Sequence, residues 1–271
     1  MKSLQREPPR VVRSPRFSIR WAGELLWSLT VHRVTVRYKE SVFGFGWIFL
    51  QPVALTIIFT YIFHRFARIP SGDTPYPLFV AIGVVGWSLT ALVVSQSAMI
   101  LTGHAPLLKR VALPRILLPL SVVTATVVDL CVMVIMLAGL FTYYRYPLPW
   151  TAGWVLLLLP IHLALLFGVS CMLSIANVLL RDAGHAIPSL LQLWFFASPV
   201  FYPSSMVPGE FRVLAQWNPM AGLIEGYRSA LLLGKPPSLY LLGPAIVTSI
   251  AVLIVGVAWF QRLEKTVSDR I

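Results

Sequence analysis

The amino-acid sequence predicts an all-α membrane protein with six transmembrane helices, an N-terminal amphipathic interface helix and re-entrant extracytoplasmic helices between spans five and six. The first observation is composition: of 271 residues, 57% are hydrophobic and only 12% are charged, whereas a soluble domain carries roughly 25% charged residues. The second is that long apolar runs recur with almost no charge inside them. The third is that most basic residues fall between alternate runs.

The apolar runs give the positions of the spans. A transmembrane helix needs about 20 consecutive apolar residues, and only Asp129 places an acidic group deep inside a run. The predicted spans are residues 47–66, 78–101, 116–143, 154–180, 187–202 and 241–260. The fifth is the shortest; Pro199 lies inside it and Pro203 directly follows it, so we expect its helix to stop near residues 198–202.

The basic residues predict the orientation. Most of the 22 Lys and Arg residues lie in the first 40 residues, in the loop after the second span and in the C-terminal tail. The positive-inside rule therefore places both termini in the cytoplasm. The expected organisation is a basic cytoplasmic arm at residues 1–21, an interface helix at 22–41 and a six-span transmembrane domain at 42–271.

The interface helix is predicted from periodicity. One helical stripe, with a basic strip of Arg33 and Arg37 beside it, is formed by Trp27, Val31, Val34 and Tyr38. A helix lying at the cytoplasmic membrane surface has this pattern; a soluble surface helix is the alternative. After the fifth span, residues 203–239 are long for a connection. Apolar pieces at 211–217 and 220–233 predict two short helices that dip back against the bundle.

Several kinds of chemistry find no support in the sequence. It has no phosphate-cradling glycine loop, nucleophile elbow, zinc motif or carboxylate pair, so we expect no catalytic residue, metal or cofactor in this chain. The net charge of +12 does not indicate nucleic acid, because the basic residues cluster beside apolar runs. Cys131 and Cys171 are expected to be small core residues.

Asp129 requires a partner, because a charge at this depth costs about 2.5–3.5 kcal/mol on insertion scales. A structural hydrogen bond to Thr124, Thr126 or a neighbouring span is the favoured interpretation, and a proton relay is the alternative.

A set of motifs in a fixed order resembles one family. They are residues 37–47 followed by Gln51-Pro52, residues 107–115, Arg181-Asp182, residues 198–203 (SPVFYP), Asn218-Pro219-Met220 and residues 225–228 (EGYR). This arrangement resembles the permease subunits of polysaccharide-exporting ABC transporters, the Wzm/TagG-like proteins that export O-antigen, teichoic acid or capsule chains. The likeness covers about residues 24–265. Residues 102–106 and Phe43 depart from the family pattern.

The resemblance implies a half-transporter in the bacterial cytoplasmic membrane. Two copies would form the pore, and two copies of a separate ATPase would hold ATP and Mg on the cytoplasmic side. The cargo would be a lipid-linked polysaccharide. The residues expected to dock the ATPase are Leu107, Leu108, Lys109, Arg110, Val111, Arg37, Arg181 and Asp182.

Aromatic side chains are the candidates for the substrate pathway, because their flat faces with polar handles suit a sliding sugar chain. They are Phe195, Phe196, Tyr202, Trp87 and Trp217. The alternative is that they anchor the protein at the lipid interface. Two other functions stay open: an exporter of drugs or small lipids with the same architecture, and a membrane-embedded enzyme that modifies glycans or lipids.

Overall fold

The all-α class is confirmed by the computed structural model, in which 84% of the residues are helical. The structure describes residues 18–39, 43–44, 46–66, 74–110, 113–180 and 182–268, and these ranges contain no strand. The predicted arm is outside them up to residue 17. The helices are α1 (Ile19–Lys39), α2 (Gly46–Phe59), α3 (Tyr76–Ala98), α4 (Ile100–Gly103), α5 (Ala105–Arg110), α6 (Leu117–Tyr143), α7 (Val155–Leu179), α8 (Ala183–Phe196), α9 (Arg212–Trp217), α10 (Pro219–Leu231) and α11 (Leu239–Ser268).

Five of the predicted spans have a counterpart that is long and apolar enough to cross a membrane. Within the described ranges these are Gly46–His64, Tyr76–Ala98, Leu117–Tyr143, Trp150–Leu179 and Leu239–Glu264. The first combines α2 with a π-helical continuation over Thr60–Phe66. A short 3-10 turn, Trp150–Trp154, leads into α7. The chain is therefore a multi-pass membrane protein.

The fifth predicted span differs from the prediction in length. It corresponds to α8, which has 14 residues and extends about 21 Å, against about 30 Å for the hydrocarbon core. The helix ends at Phe196, and the turn over residues 197–203 follows. The backbone cannot continue as a helix there, because Pro199 has no backbone N–H to donate and its ring would clash with the carbonyl group one turn earlier.

Helix α1 is present close to the predicted position, but it presents a different face to the bundle. Leu25 and Leu29 pack against the core, and the Thr30 hydroxyl lies 2.7 Å from that of Thr124 on α6. Trp27 and Val31 of the predicted stripe are exposed. The packed face therefore combines Leu25, Leu29 and Tyr38 with a polar contact to α6, which a hydrophobic stripe alone does not indicate.

The closest helix pair is α7 with α11, which cross at two glycines. A Cβ added to Gly256 would lie 2.3 Å from the carbonyl oxygen of Gly168. Only glycine allows the two backbones to approach this closely. Of the two cysteines, Cys171 is buried, but Cys131 is exposed on α6. The prediction of a core position was wrong for Cys131, which lies on the outward face of its helix.

The two short helices predicted after the fifth span are present as α9 and α10. Helix α10 begins at Pro219, with the Asn218 side chain accepting the backbone N–H of Met220 at its N-terminus. Most of α10 is buried against α3, α7 and α11, including Met220, Leu223 and Ile224. The segment is thus part of the bundle core.

Candidate functional site

A cleft of about 610 Å³ opens between α1, α2, α3 and α8. We call it the central cleft. Its walls are mainly apolar, with several amide and hydroxyl side chains among them. The lining residues are Arg37, Tyr38, Trp47, Ile48, Gln51, Pro52, Leu55, Phe59, Trp87, Ser88, Ala91, Leu92, Ser95, Gln96, Met133, Pro188, Leu191, Gln192 and Phe195. The cleft therefore combines flat aromatic faces with groups that can donate and accept hydrogen bonds.

A buried ion pair closes one end of the central cleft. The guanidinium of Arg37 donates to the Asp129 carboxylate at 2.5 Å, and the Tyr38 hydroxyl donates to the same carboxylate at 2.7 Å. Arg37 also donates to the Gln96 side chain on α3. Asp129 is fully buried. Asp129 therefore has hydrogen-bond partners, as expected, but they come from α1, whereas Thr124 and Thr126 bond elsewhere.

The charges on this part of α1 are influenced by burial. Burial raises the pKa of Tyr38 to about 12, and its hydrogen bond to Asp129 acts in the same direction. Burial, together with the neighbouring Arg37 cation, lowers the pKa of Arg33 to about 10. Tyr38 therefore stays a neutral donor at neutral pH, while Arg33 stays a cation.

An aromatic cluster lies at the other end of the central cleft. The Phe195 ring stacks on Phe59 at 5.7 Å between ring centroids and meets Trp87 edge-on at 5.4 Å. Phe201 stacks on Phe63 at 4.4 Å. Two predicted pathway residues, Trp87 and Phe195, therefore line one cleft together.

Phe201 connects this cluster with the other predicted pathway residues. Its ring lies 6.1 Å from Phe196 and 5.2 Å from Tyr202. Tyr202 and Trp217 line a second cleft of about 880 Å³ beyond the end of α8, which we call the outer cleft. Phe196 and Trp217 are 54% and 52% exposed. The five predicted residues are thus divided between the central cleft, the outer cleft and the cluster that separates them.

The turn that carries Phe201 and Tyr202 is held by Arg228 of α10. The Arg228 side chain is 1% exposed and donates to the carbonyl oxygens of Pro199 and Val200, each at 2.7 Å. It forms an ion pair with Glu225 at 3.2 Å, and its guanidinium stacks 3.5 Å from the Phe79 ring centroid. The carbonyl groups of this turn make no helical hydrogen bonds, and Arg228 therefore supplies the donors that they need inside the bundle.

Two further contacts fix the same turn. The Asn218 amide accepts from the Trp194 indole at 3.0 Å and donates to the Ala197 carbonyl at 3.1 Å. On α3, Gly83 lets the turn approach: a Cβ there would lie 2.3 Å from the Val200 oxygen. The SPVFYP, NPM and EGYR motifs therefore meet in one place.

The residues expected to dock a partner are only partly described. Leu107 and Leu108, on α5, are half-buried and pack against the core. Arg37 points inward to Asp129, and Asp182 is exposed at the start of α8. Val111 and Arg181 are outside the described residues, as are the side chains of Lys109 and Arg110. Leu107 and Leu108, expected to dock the ATPase, thus contact the bundle.

Sequence reasoning missed several residues of the site. Phe59, Phe63 and Trp194 carry no signal beyond being aromatic within apolar runs. Phe201 stands between two prolines in a motif already singled out. Arg228 had a usable signal: it is a charge within the apolar piece 220–233, and such a charge requires partners.

The long apolar helices and the clefts between them define a multi-pass membrane protein. The chain belongs to the ABC-2 type transporter family, whose family profile matches residues 24–232. It is 28% identical to the O-antigen export system permease protein RfbA of Klebsiella pneumoniae over 92% of this chain and 95% of the relative. The permease of the same name from Myxococcus xanthus is 29% identical over 91% and 95%. The polysialic acid transport protein KpsM of Escherichia coli is 21% identical over 88% and 93%.

Proposed function

We propose that this chain is the transmembrane subunit of an ATP-driven exporter that moves a lipid-linked polysaccharide across the cytoplasmic membrane. The observation that carries the proposal is the similarity to O-antigen export permeases over nearly the full length of both chains. The motifs shared with such permeases also converge on one turn at the end of α8. ATP and Mg would bind to a separate ATPase chain.

The chemistry of the central cleft supports a sugar polymer as cargo. The aromatic faces of Trp87 and Phe195 offer apolar contact. The side-chain amides of Gln51, Gln96 and Gln192 offer hydrogen bonds that can pass from one sugar unit to the next. Such a surface can contact successive sugar units without holding any one of them tightly. Phe196, Tyr202 and Trp217 continue this surface toward the outer cleft.

In the functional protein, α8 and the turn after it would complete a sixth crossing. Broken backbone is tolerated at membrane depth where protein covers it, and Ser198, Val200 and Phe201 in this turn are buried. Helices α9 and α10 would then re-enter from the extracytoplasmic side, with both termini in the cytoplasm. A second copy of the chain would face the half-open central cleft and complete the pore.

The proposal is tested in a strain that lacks this gene and lacks surface polysaccharide. We expect the wild-type gene to restore export, and Phe196→Ala with Tyr202→Ala to restore much less at equal membrane levels of permease. The control is Tyr143→Ala, an exposed aromatic outside both clefts. Surface polysaccharide on gels is the measurement. Normal export by the double variant would leave those two aromatics as lipid anchors. Failure of the wild type to restore export, together with ATPase stimulation by drugs or small lipids, would overturn the proposed cargo.

A further inference from the structure

A third cleft lies on a different side of the bundle from the proposed pathway. It has a volume of about 830 Å³ between α3, α6, α7 and α10, within the range of about 300–1,000 Å³ typical of small-molecule sites. We call it the lateral cleft. Its floor is formed by buried side chains of α3, including Ile82, Val85 and Leu89, and Tyr227 of α10. Its residues do not line the central or the outer cleft.

The lateral cleft is open at the outer surface of the helical bundle. Val134 on α6 and Leu156 on α7 border it and are exposed, Leu156 to 80%. One face of α6 forms its long wall, from Leu130 to Thr142, about 18 Å at 1.5 Å per residue. The hydrocarbon of one leaflet is about 15 Å deep. The wall therefore matches the reach of an acyl chain within a single leaflet.

The cleft has a cationic end. Arg145 follows the last turn of α6 and is the one charged lining residue among those that the structure describes. Its guanidinium forms no hydrogen bond or ion pair with any described residue. The other polar groups at this end are satisfied within the protein: Tyr146 donates to the Leu232 carbonyl and Thr142 to the Ala138 carbonyl, each at 2.8 Å. Among the polar side chains named here, Arg145 alone is left to meet a ligand.

We propose that the lateral cleft binds an anionic phospholipid, with an acyl chain along α6 and the headgroup phosphate paired with Arg145. Charge complementarity carries the choice of occupant: a long apolar slot open to the bilayer ends at a single unpaired guanidinium, which suits a phosphodiester. With the orientation proposed above, the lipid belongs to the outer leaflet. The proposed lipid site does not depend on which cargo the protein exports, because none of its residues belongs to the proposed pathway.

The test uses the full-length permease in detergent and phosphatidylglycerol carrying a photoactivatable group on one acyl chain. We expect labelling of α6 and α7 peptides that unlabelled phosphatidylglycerol suppresses. Arg145→Gln should weaken apparent binding about tenfold, as expected for the loss of one charge-assisted hydrogen bond, while Arg145→Lys retains most of it. Arg212→Gln, an exposed arginine outside the cleft, is the charge control and should bind normally.

Filling the slot is the second arm. Ala138→Phe places a ring in the cleft from its exposed side and should abolish specific labelling, whereas Ile135→Phe, at an exposed position that does not line the cleft, should not. Thermal unfolding of each variant confirms that it is folded. Three outcomes would overturn the proposal. One is equal labelling of Ala138→Phe and wild type, and another is displacement of the label by undecaprenyl phosphate but not by phosphatidylglycerol. The third is conversion of a dimer to monomers by Ala138→Phe, which would make the cleft an interface between copies. A failed export assay alone bears on the proposed function and leaves this site intact.

Discussion

Asp129 and Arg228 are buried charged residues. Each holds in place an element whose position apolar packing alone does not fix. Asp129 receives the Arg37 and Tyr38 side chains and so joins α1 to α6. Arg228 satisfies carbonyl oxygens of the turn after α8. A buried charge that loses its partner costs far more than the pair contributes. These contacts therefore determine where α1 and the turn lie, rather than adding much net stability.

The Arg37–Asp129 pair predicts a non-additive response to mutation. Asp129→Asn leaves the Arg37 cation without its counterion, so we expect a loss on the order of 3 kcal/mol and a melting temperature lower by roughly 6–12 °C. Arg37→Gln should cost a similar amount, because it leaves a buried carboxylate. The double variant should lose less than the sum. The control is Arg20→Gln, which removes an exposed pair with Glu24 and should change the melting temperature little. Additive losses would mean that the two groups do not interact.

At the scale of elements, close helix packing depends on glycine at positions where backbones nearly touch. On α3, Gly83 faces the carbonyl oxygen of Val200, and on α11, Gly256 faces Gly168. The first contact positions the aromatic turn beside the central cleft. The second joins the two long helices α7 and α11. In both cases a methyl group would occupy the space of a backbone atom.

Substitution at Gly83 tests this packing directly. A Cβ there would lie 2.3 Å from the Val200 oxygen and 2.8 Å from Arg228 Nη2, so Gly83→Ala should cost about 1–3 kcal/mol through overpacking. Gly139→Ala is the matched control, because a methyl group added there would meet nothing within 4 Å, and it should be neutral or stabilising by up to about 1 kcal/mol. Thermal unfolding of the purified variants measures both. Equal melting temperatures would show that the turn can move away from α3.

Helix α5 gives a second prediction at this scale. Leu108 packs against the core, so Leu108→Asp with Val111→Asp would disturb folding as well as docking. Lys109→Glu with Arg110→Glu is the cleaner variant, and we expect it to abolish co-purification of the ATPase by charge reversal. The charge-matched control reverses Arg262 and Lys265 near the end of α11. Retention of the ATPase by the Lys109 and Arg110 variant would exclude α5 as the docking element.

Apolar runs predict the helices well, because hydropathy and proline positions act locally. The five long spans, the end of α8 and the pair α9 and α10 all follow from these signals. The packed face of α1 does not, because it depends on Asp129, which is 92 positions from Arg37 along the chain. The buried position of Arg228 does not follow from local patterns either, because its partners include carbonyl groups of a distant segment.

At the scale of the whole molecule, the central cleft, the aromatic cluster and the outer cleft follow one another. The central cleft is half-open, its aromatic cluster leads from Trp87 through Phe195 and Phe201 to Tyr202, and the outer cleft follows. The ion pair of Arg37 and Asp129 lies at the opposite end, beside the helix that precedes the first span. At that end α1, α3 and α6 share one hydrogen-bond network.

The most direct test of the proposed pathway is photo-crosslinking during export. A photoreactive phenylalanine analogue replaces Phe195 in the central cleft, and in the control it replaces Ile135, which is exposed on α6 away from both clefts. In vesicles that contain the permease, its ATPase and labelled lipid-linked polysaccharide, we expect ATP-dependent crosslinks to the polysaccharide from position 195 and none from position 135. Crosslinks from position 195 to phospholipid alone, while polysaccharide still crosses the membrane, would contradict the assignment of the central cleft as the pathway.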